Sequence, residues 1–162
     1  EIAQCLVGSE MCIRDRHHVF CFGGHMYKLE TENFLLELLP GIHQDNFPYP
    51  KANSLRVKVS SLGFSADSIM DIDDIALSDF AVNLNELYET LSGSVRLEEP
   101  YSMHCFLEFT AVTGGHIRIK GRIHNKKGIG YGHELTFENE VDQTYLRGFA
   151  KTLFADYGKY AE

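Results

Sequence analysis

A chain of 162 residues is long enough to bury one sizeable core and short for two domains. Its residues are 44% hydrophobic, 12% aromatic and 23% charged, as in an ordinary globular protein, and no apolar run reaches the roughly 20 residues that a membrane-spanning helix needs. A net charge of −8 and a pI near 5.4 disfavour unassisted binding to nucleic-acid phosphates, so the expected partner is basic or neutral.

The first 25 residues differ in texture from the rest. Cys5, Cys12 and Cys21 fall there and Cys105 stands alone afterwards, so the body of the chain has no disulfide framework. A reducing, cytoplasmic setting is expected. Cys12, His17, His18, Cys21 and His25 could supply four zinc ligands, but their spacing fits no C-x₂₋₄-C plus H-x₃₋₅-H pattern. Acids and Gly interrupt the apolar residues, unlike the continuous core of a secretory signal.

Reverse translation offers another account. Leu6 to Asp15 can be written CTC GTG GGC TCG GAG ATG TGT ATA AGA GAC, with AG opening the Arg16 codon. Without a mismatch, this resembles one frame of a transposase adapter used in sequencing libraries, as in an environmental read translated through its adapter. Residues 1–25 are therefore expected to be adapter-derived or upstream sequence without a stable fold. Met26 is a natural start codon, and residues 26–162 are expected to form a single α+β domain. The zinc idea falls with the segment. The net charge changes by only one unit, because the segment holds three acids (Glu1, Glu10, Asp15) and two bases (Arg14, Arg16).

From Met26 the pattern becomes regular. Tyr27–Leu39 reads as two short strands around a Thr31-Glu32-Asn33 turn. Residues 40–53 hold Pro40, Pro48 and Pro50 and read as a connection. Leu55, Val57 and Val59 then alternate with Arg56, Lys58 and Ser60, which predicts a half-buried antiparallel strand. Gly63 allows a bend into a neighbouring strand. Asp67, Asp71, Asp73 and Asp74 invite a hard-cation reading. They lack the alternation, the central Gly and the closing Glu of a calcium loop, so a solvated strand face and an acidic turn are expected.

A helix is predicted over about 79–92, capped by Ser78 or Asp79 and followed by Gly93. Phe80, Leu84, Leu87, Tyr88 and Leu91 form its apolar stripe, and Asn83, Asn85, Glu86 and Glu89 face water. Strands follow at Ser94–Glu99, Met103–Val112, His116–His124 and Glu134–Glu140. In the third, Ile117, Ile119 and Ile123 point inward and Arg118, Lys120 and Arg122 outward. The fourth sets Leu135 and Phe137 inward and acids outward, so cross-strand pairing of about 0.2–1 kcal/mol per pair is expected. Asp142 caps a second helix over about 143–157, with Tyr145, Leu146, Phe149, Ala150, Leu153, Phe154 and Tyr157 as its stripe.

About seven strands joined by short turns, with two amphipathic helices, predict an α+β fold with a mainly antiparallel sheet. The sequence contains no internal repeat. Gly128, Gly130 and Gly132 lie between two strands, so they read as a hairpin loop rather than a phosphate-binding turn. His104 and Cys105 are strand neighbours on opposite faces, and Cys105 reads as a buried structural thiol. No catalytic, cofactor or metal motif stands out.

The runs "FLLELLPGIHQDNFPYPKANSLRVKV", "LNELYETLSGSVRLEEP", "GGHIRIKGRI" and "LTFENEVDQTYLRGFAKTL" carry a family resemblance. From Met26 to about Tyr157 the chain resembles the WapI family of bacterial immunity proteins and a related group of bacterial domains with the same layout. The stretch "GFSADSIMDID" departs from that pattern by being less apolar. The resemblance implies a cytoplasmic protein that binds and blocks a cognate toxin in interbacterial competition, with no catalytic residue to carry over. Asn83, Glu86 and Glu89 on the first helix, and Lys126, Lys127, Tyr131 and His133 in the later loop, are the candidate partner contacts. Two other functions stay open. One is an interaction or structural domain without an inhibitory role. The other is a small enzyme using Cys105 or a histidine, which requires a pocket around that residue.

Overall fold

Alternating burial builds the strands. In a computed structural model, which describes residues 25–43, 51–100, 105–125 and 132–158, β1 (Tyr27–Glu30) turns Tyr27 and Leu29 inward and Lys28 and Glu30 outward. It pairs antiparallel with β2 (Phe34–His43), then β3 (Lys51–Ser61) and β4 (Phe64–Met70) follow in the same manner. The Thr31–Phe34 turn is closed twice. Thr31 N–H donates to the Phe34 carbonyl (2.8 Å), and Phe34 N–H donates to Thr31 Oγ1 (3.2 Å).

Helix α1 (Asp74–Thr90) comes next, then a second meander of β5 (Ser94–Glu98), β6 (Phe106–Val112), β7 (His116–Asn125) and β8 (His133–Asp142), and finally α2 (Gln143–Tyr157). The fold is α+β, as expected. The strands number eight rather than about seven, and they form two four-stranded antiparallel sheets rather than one. The order of elements repeats, four strands and a helix twice over, although the sequence shows no repeat. Each helix packs against the other and lies on the first strand of the other meander, α1 on β5 and α2 on β1. Neither sheet is therefore covered by its own half alone.

The interior follows from the stripes. Phe80 of α1, Phe109 of β6 and Phe149 of α2 form a chain of rings, with centroids 5.8 Å and 6.2 Å apart. Leu55, Val57, Val59, Leu107, Ile117, Ile119 and Ile123 fill the space around them, with the inward faces that the alternation predicts. Polar side chains tie distant segments together. The Tyr27 hydroxyl donates to Asp156 Oδ2 (2.7 Å), and Ser78 Oγ donates to the Tyr157 carbonyl (2.8 Å). Burial, reinforced by the bond to Asp156, pushes the Tyr27 hydroxyl pKa well above its ordinary value, so it stays a donor.

Several expectations need correction. β2 runs through Pro40 to His43 and β3 begins at Lys51, so much of the segment read as a connection is strand. Pro40 pairs with Leu55 beyond the last β1 partner at Leu38, where β2 has a neighbour on one side only and a missing N–H is tolerated. α1 starts at Asp74 rather than near Asp79, because Asp73 is its cap and accepts from Ala76 N–H (2.8 Å). Asn85 is half-buried, and its Oδ1 has no hydrogen-bond partner among the described residues, so it does not face water as Asn83, Glu86 and Glu89 do. Residues 1–24, with the adapter-like stretch, lie outside the described residues, as do His104 and Gly128 and Gly130 of the later loop.

Candidate functional site

The outer surface of α1 follows from its inner one. Leu77, Phe80, Ala81, Leu84 and Leu87 are buried, which turns Ile75, Asp79, Asn83 and Glu86 outward at i, i+4, i+8 and i+11. The helix carries Asp74, Asp79, Glu86 and Glu89 and no Lys or Arg, and Asp71 and Asp73 precede it. This is the most one-signed described stretch of the chain. At the centre of its exposed face sits polar Asn83, and Ile75 at the N-terminal end is 66% exposed.

Between the C-terminal half of α1 and β5 lies a shallow recess of about 320 Å³, lined by Asn83, Glu86, Thr90, Ser94 and Arg96 among others. Arg96 is held at its edge by Glu98 (2.7 Å) and Glu108 (3.2 Å), with its guanidinium 3.9 Å from the Phe106 ring centroid. The Glu98 hydrogen bond raises the Arg96 pKa, and Arg96 lowers that of Glu98, so both remain charged. Glu89 is engaged differently. It pairs with Lys151 of α2, which also lies 5.5 Å from the Tyr88 ring centroid.

The candidate contacts do not converge. Asn83 and Glu86 are exposed beside the recess, and Glu89 belongs to the α1–α2 seam. His133 is exposed at the start of β8, opposite Asn125, at the end of the second sheet that carries Glu98 and Phe106. The C-terminal half of α1 leads into Ser94, on the other edge strand and at the other end. Lys126, Lys127 and Tyr131 lie outside the described residues.

Both sheets carry internal ion pairs on their charged faces. On the second sheet Arg118 and Lys120 reach Glu138 at 3.3 and 3.4 Å, the cross-strand pairing that the alternating signs predict. On the first, Asp67 receives a two-pronged contact from Arg56 (2.9 and 2.7 Å), and Glu37 lies 4.0 Å from Lys58. Asp67 and Asp73 of the acidic stretch thus serve a strand pair and a helix cap. Cys105 is fully buried. Its Sγ accepts from His124 N–H (3.2 Å) and its thiol faces the His124 carbonyl (3.7 Å).

Several apolar side chains escape the expected faces. Leu91, Tyr145 and Phe154, read as helix stripe, are 37%, 51% and 39% exposed, and Leu91 lies past the end of α1 as its C-cap. The largest apolar exposures among the described residues are at Ile75 and the β3–β4 turn, where Leu62 and Phe64 are 71% and 70% exposed on either side of Gly63. Sequence reading takes them as strand flanks around a bend, because an apolar residue at a hairpin tip looks the same as one in the core. The visible signal is the dipeptide Leu-Gly, where a two-residue turn with positive φ ordinarily takes Asn-Gly.

The family model described as Immunity protein WapI-like family matches residues 41–161, from the end of β2 to beyond α2. No curated protein and no solved structure matches the chain.

Proposed function

Because the chain belongs to the WapI-like family of immunity proteins, we propose that it neutralises a cognate bacterial toxin by stoichiometric protein–protein contact, without chemistry of its own. The observation that carries this reading is the extent of the family match, which takes in both helices, six whole strands and the last residues of β2. It acts in the cytoplasm of the cell that makes it, through residues 26–162.

The outer face of α1 is the first contact surface to test. Asp79 and Glu86, on either side of Asn83, form no ion pair among the described residues, whereas Asp67 and Glu138 on the sheet faces pair with Arg56, Arg118 and Lys120. Such an acidic face suits a basic toxin, because complementary charge raises the association rate and suppresses wrong partners. Cys105 favours a role without catalysis, since a fully buried thiol has no access to a substrate.

The test is co-expression with the cognate toxin gene, to be sought beside this one in the genome. Growth is expected to be rescued, and Asp79→Lys combined with Glu86→Lys should weaken the rescue. If the unmodified chain gives no rescue, the immunity reading fails.

A further inference from the structure

We propose that the β3–β4 hairpin tip, Leu62-Gly63-Phe64, is a docking prong that enters an apolar pocket with a basic rim on the toxin surface. This rests on the immunity reading and adds to it a second contact, outside α1, together with the chemistry of what it meets.

Nothing in the folding of the hairpin asks for these side chains. Leu62 holds φ at +49° and Gly63 at +88°. A branched side chain crowds the backbone in that region, whereas Asn or Gly adopts it readily. The turn is fixed by backbone groups alone. Leu62 N–H donates to the Asn33 carbonyl (3.1 Å), a bond any residue but proline could make. Phe64 pairs with Ser61 across the strands and leaves its ring in water. Leu91 combines a φ of +50° with 37% exposure too, but there the left-handed residue ends α1; at the tip neither the strain nor the exposure serves the core. Strain kept where it does not serve the fold points to a contact.

The base of the prong is rigid. Ser61 and Asn139 exchange hydrogen bonds (3.0 and 3.2 Å), and the Phe34 and Phe137 rings lie 5.8 Å apart beneath. A tip on such a base presents its side chains with little ordering cost on binding. The surroundings state the partner's sign. Glu32, next to the Asn33 whose carbonyl Leu62 N–H reaches, is exposed, whereas Glu140 lies across from Arg118 on the neighbouring strand. An acid beside an apolar tip disfavours anionic lipid headgroups and suits a pocket edged with Lys or Arg.

The experiment uses the full chain and the toxin whose growth inhibition that co-expression relieves. Leu62→Asn and Phe64→Ser are measured separately and together for melting temperature and for affinity to that toxin. Leu62→Asn is expected to melt at or above the unmodified temperature, Phe64→Ser within about 2 °C of it, and each to bind at least tenfold more weakly, as for centrally placed contacts. If the unmodified chain binds and the double variant binds as tightly, the prong is overturned and the immunity reading stands. If the unmodified chain does not bind the toxin, both fall. Concentration-dependent self-association, or binding to phosphatidylcholine vesicles, that Phe64→Ser abolishes while toxin affinity is kept would assign the tip to another occupant and overturn the proposal.

Discussion

α1 and α2 begin alike. Each has an aspartate cap, Asp73 or Asp142, whose carboxylate accepts from a first-turn N–H (2.8 Å in both). Each has a buried pair at the positions of a hydrophobic staple, Ile72 with Leu77 and Val141 with Leu146. A four-stranded antiparallel meander precedes both. Their outer surfaces diverge. α1 bears four acids and no base, whereas α2 carries Arg147, Lys151 and Asp156. The hairpins diverge too. The β3–β4 turn displays Leu62 and Phe64, while the β6–β7 turn uses Gly114 and Gly115 at φ +83° and +79° and displays only the polar Thr113. What burial demands is the same in both halves. What differs lies on the surface, where a partner would read it.

The severest test of that likeness removes the ring between the halves. Phe109→Ala, which deletes the middle of the Phe80–Phe109–Phe149 chain, is expected to cost about 3–5 kcal/mol. Because each helix covers the other half's first strand, urea unfolding followed by circular dichroism and by tyrosine fluorescence should shift as one coincident transition. Two separated transitions would mean that the halves are independent units.

Next in size is a feature the first half lacks. Gly121 of β7 lies opposite Phe137, and a Cβ there would come within 2.4 Å of the Phe137 ring and 3.1 Å of Leu107. Gly121→Ala is expected to lower stability by about 1–3 kcal/mol, and pairing it with Phe137→Leu should recover part of the loss in a double-mutant cycle. Simple additivity would show that the ring does not set the glycine.

The caps give a smaller effect. Asp73→Ala is expected to cost about 1 kcal/mol in urea titration. For Asp142 the readout is pH. The Thr144 N–H bond holds its carboxyl below the usual aspartate value, so its contribution is present above that value and lost as pH falls through the lowered one. Asp142→Asn should flatten the acid side of the melting-temperature profile below about pH 4. The smallest change is Glu138→Gln, which breaks exposed contacts to Arg118 and Lys120 and should move stability by less than about 1 kcal/mol.

The local rules carried most of the fold. α2 spans the expected residues because cap, stripe and preceding strand all point to one start. Alternation placed Leu55, Val57, Val59, Ile117, Ile119 and Ile123 inward. α1 was less legible, since Ser78, a plausible cap by type, instead faces inward and bonds to the Tyr157 carbonyl at the far end of the chain. Only the assembled core makes that choice. The division into two sheets was likewise invisible, because hairpin patterns give neighbours and not where a sheet ends. Of the candidate contacts, Asn83 and Glu86 were readable as the polar side of a helix. Glu89 was readable as polar too, but not as half of an ion pair with Lys151 on another element. Leu62, Phe64 and Ile75 were missed because composition cannot separate an apolar residue that is buried from one that is displayed.

Titration of the purified toxin with the full chain, reading residual toxin activity against the molar ratio of the two, addresses the central claim most directly. Inhibition by contact predicts activity falling linearly to zero at one chain per toxin, with a one-to-one complex recovered by gel filtration. Complete loss of activity at a small fraction of that ratio, with no complex, would mean turnover and would contradict the account.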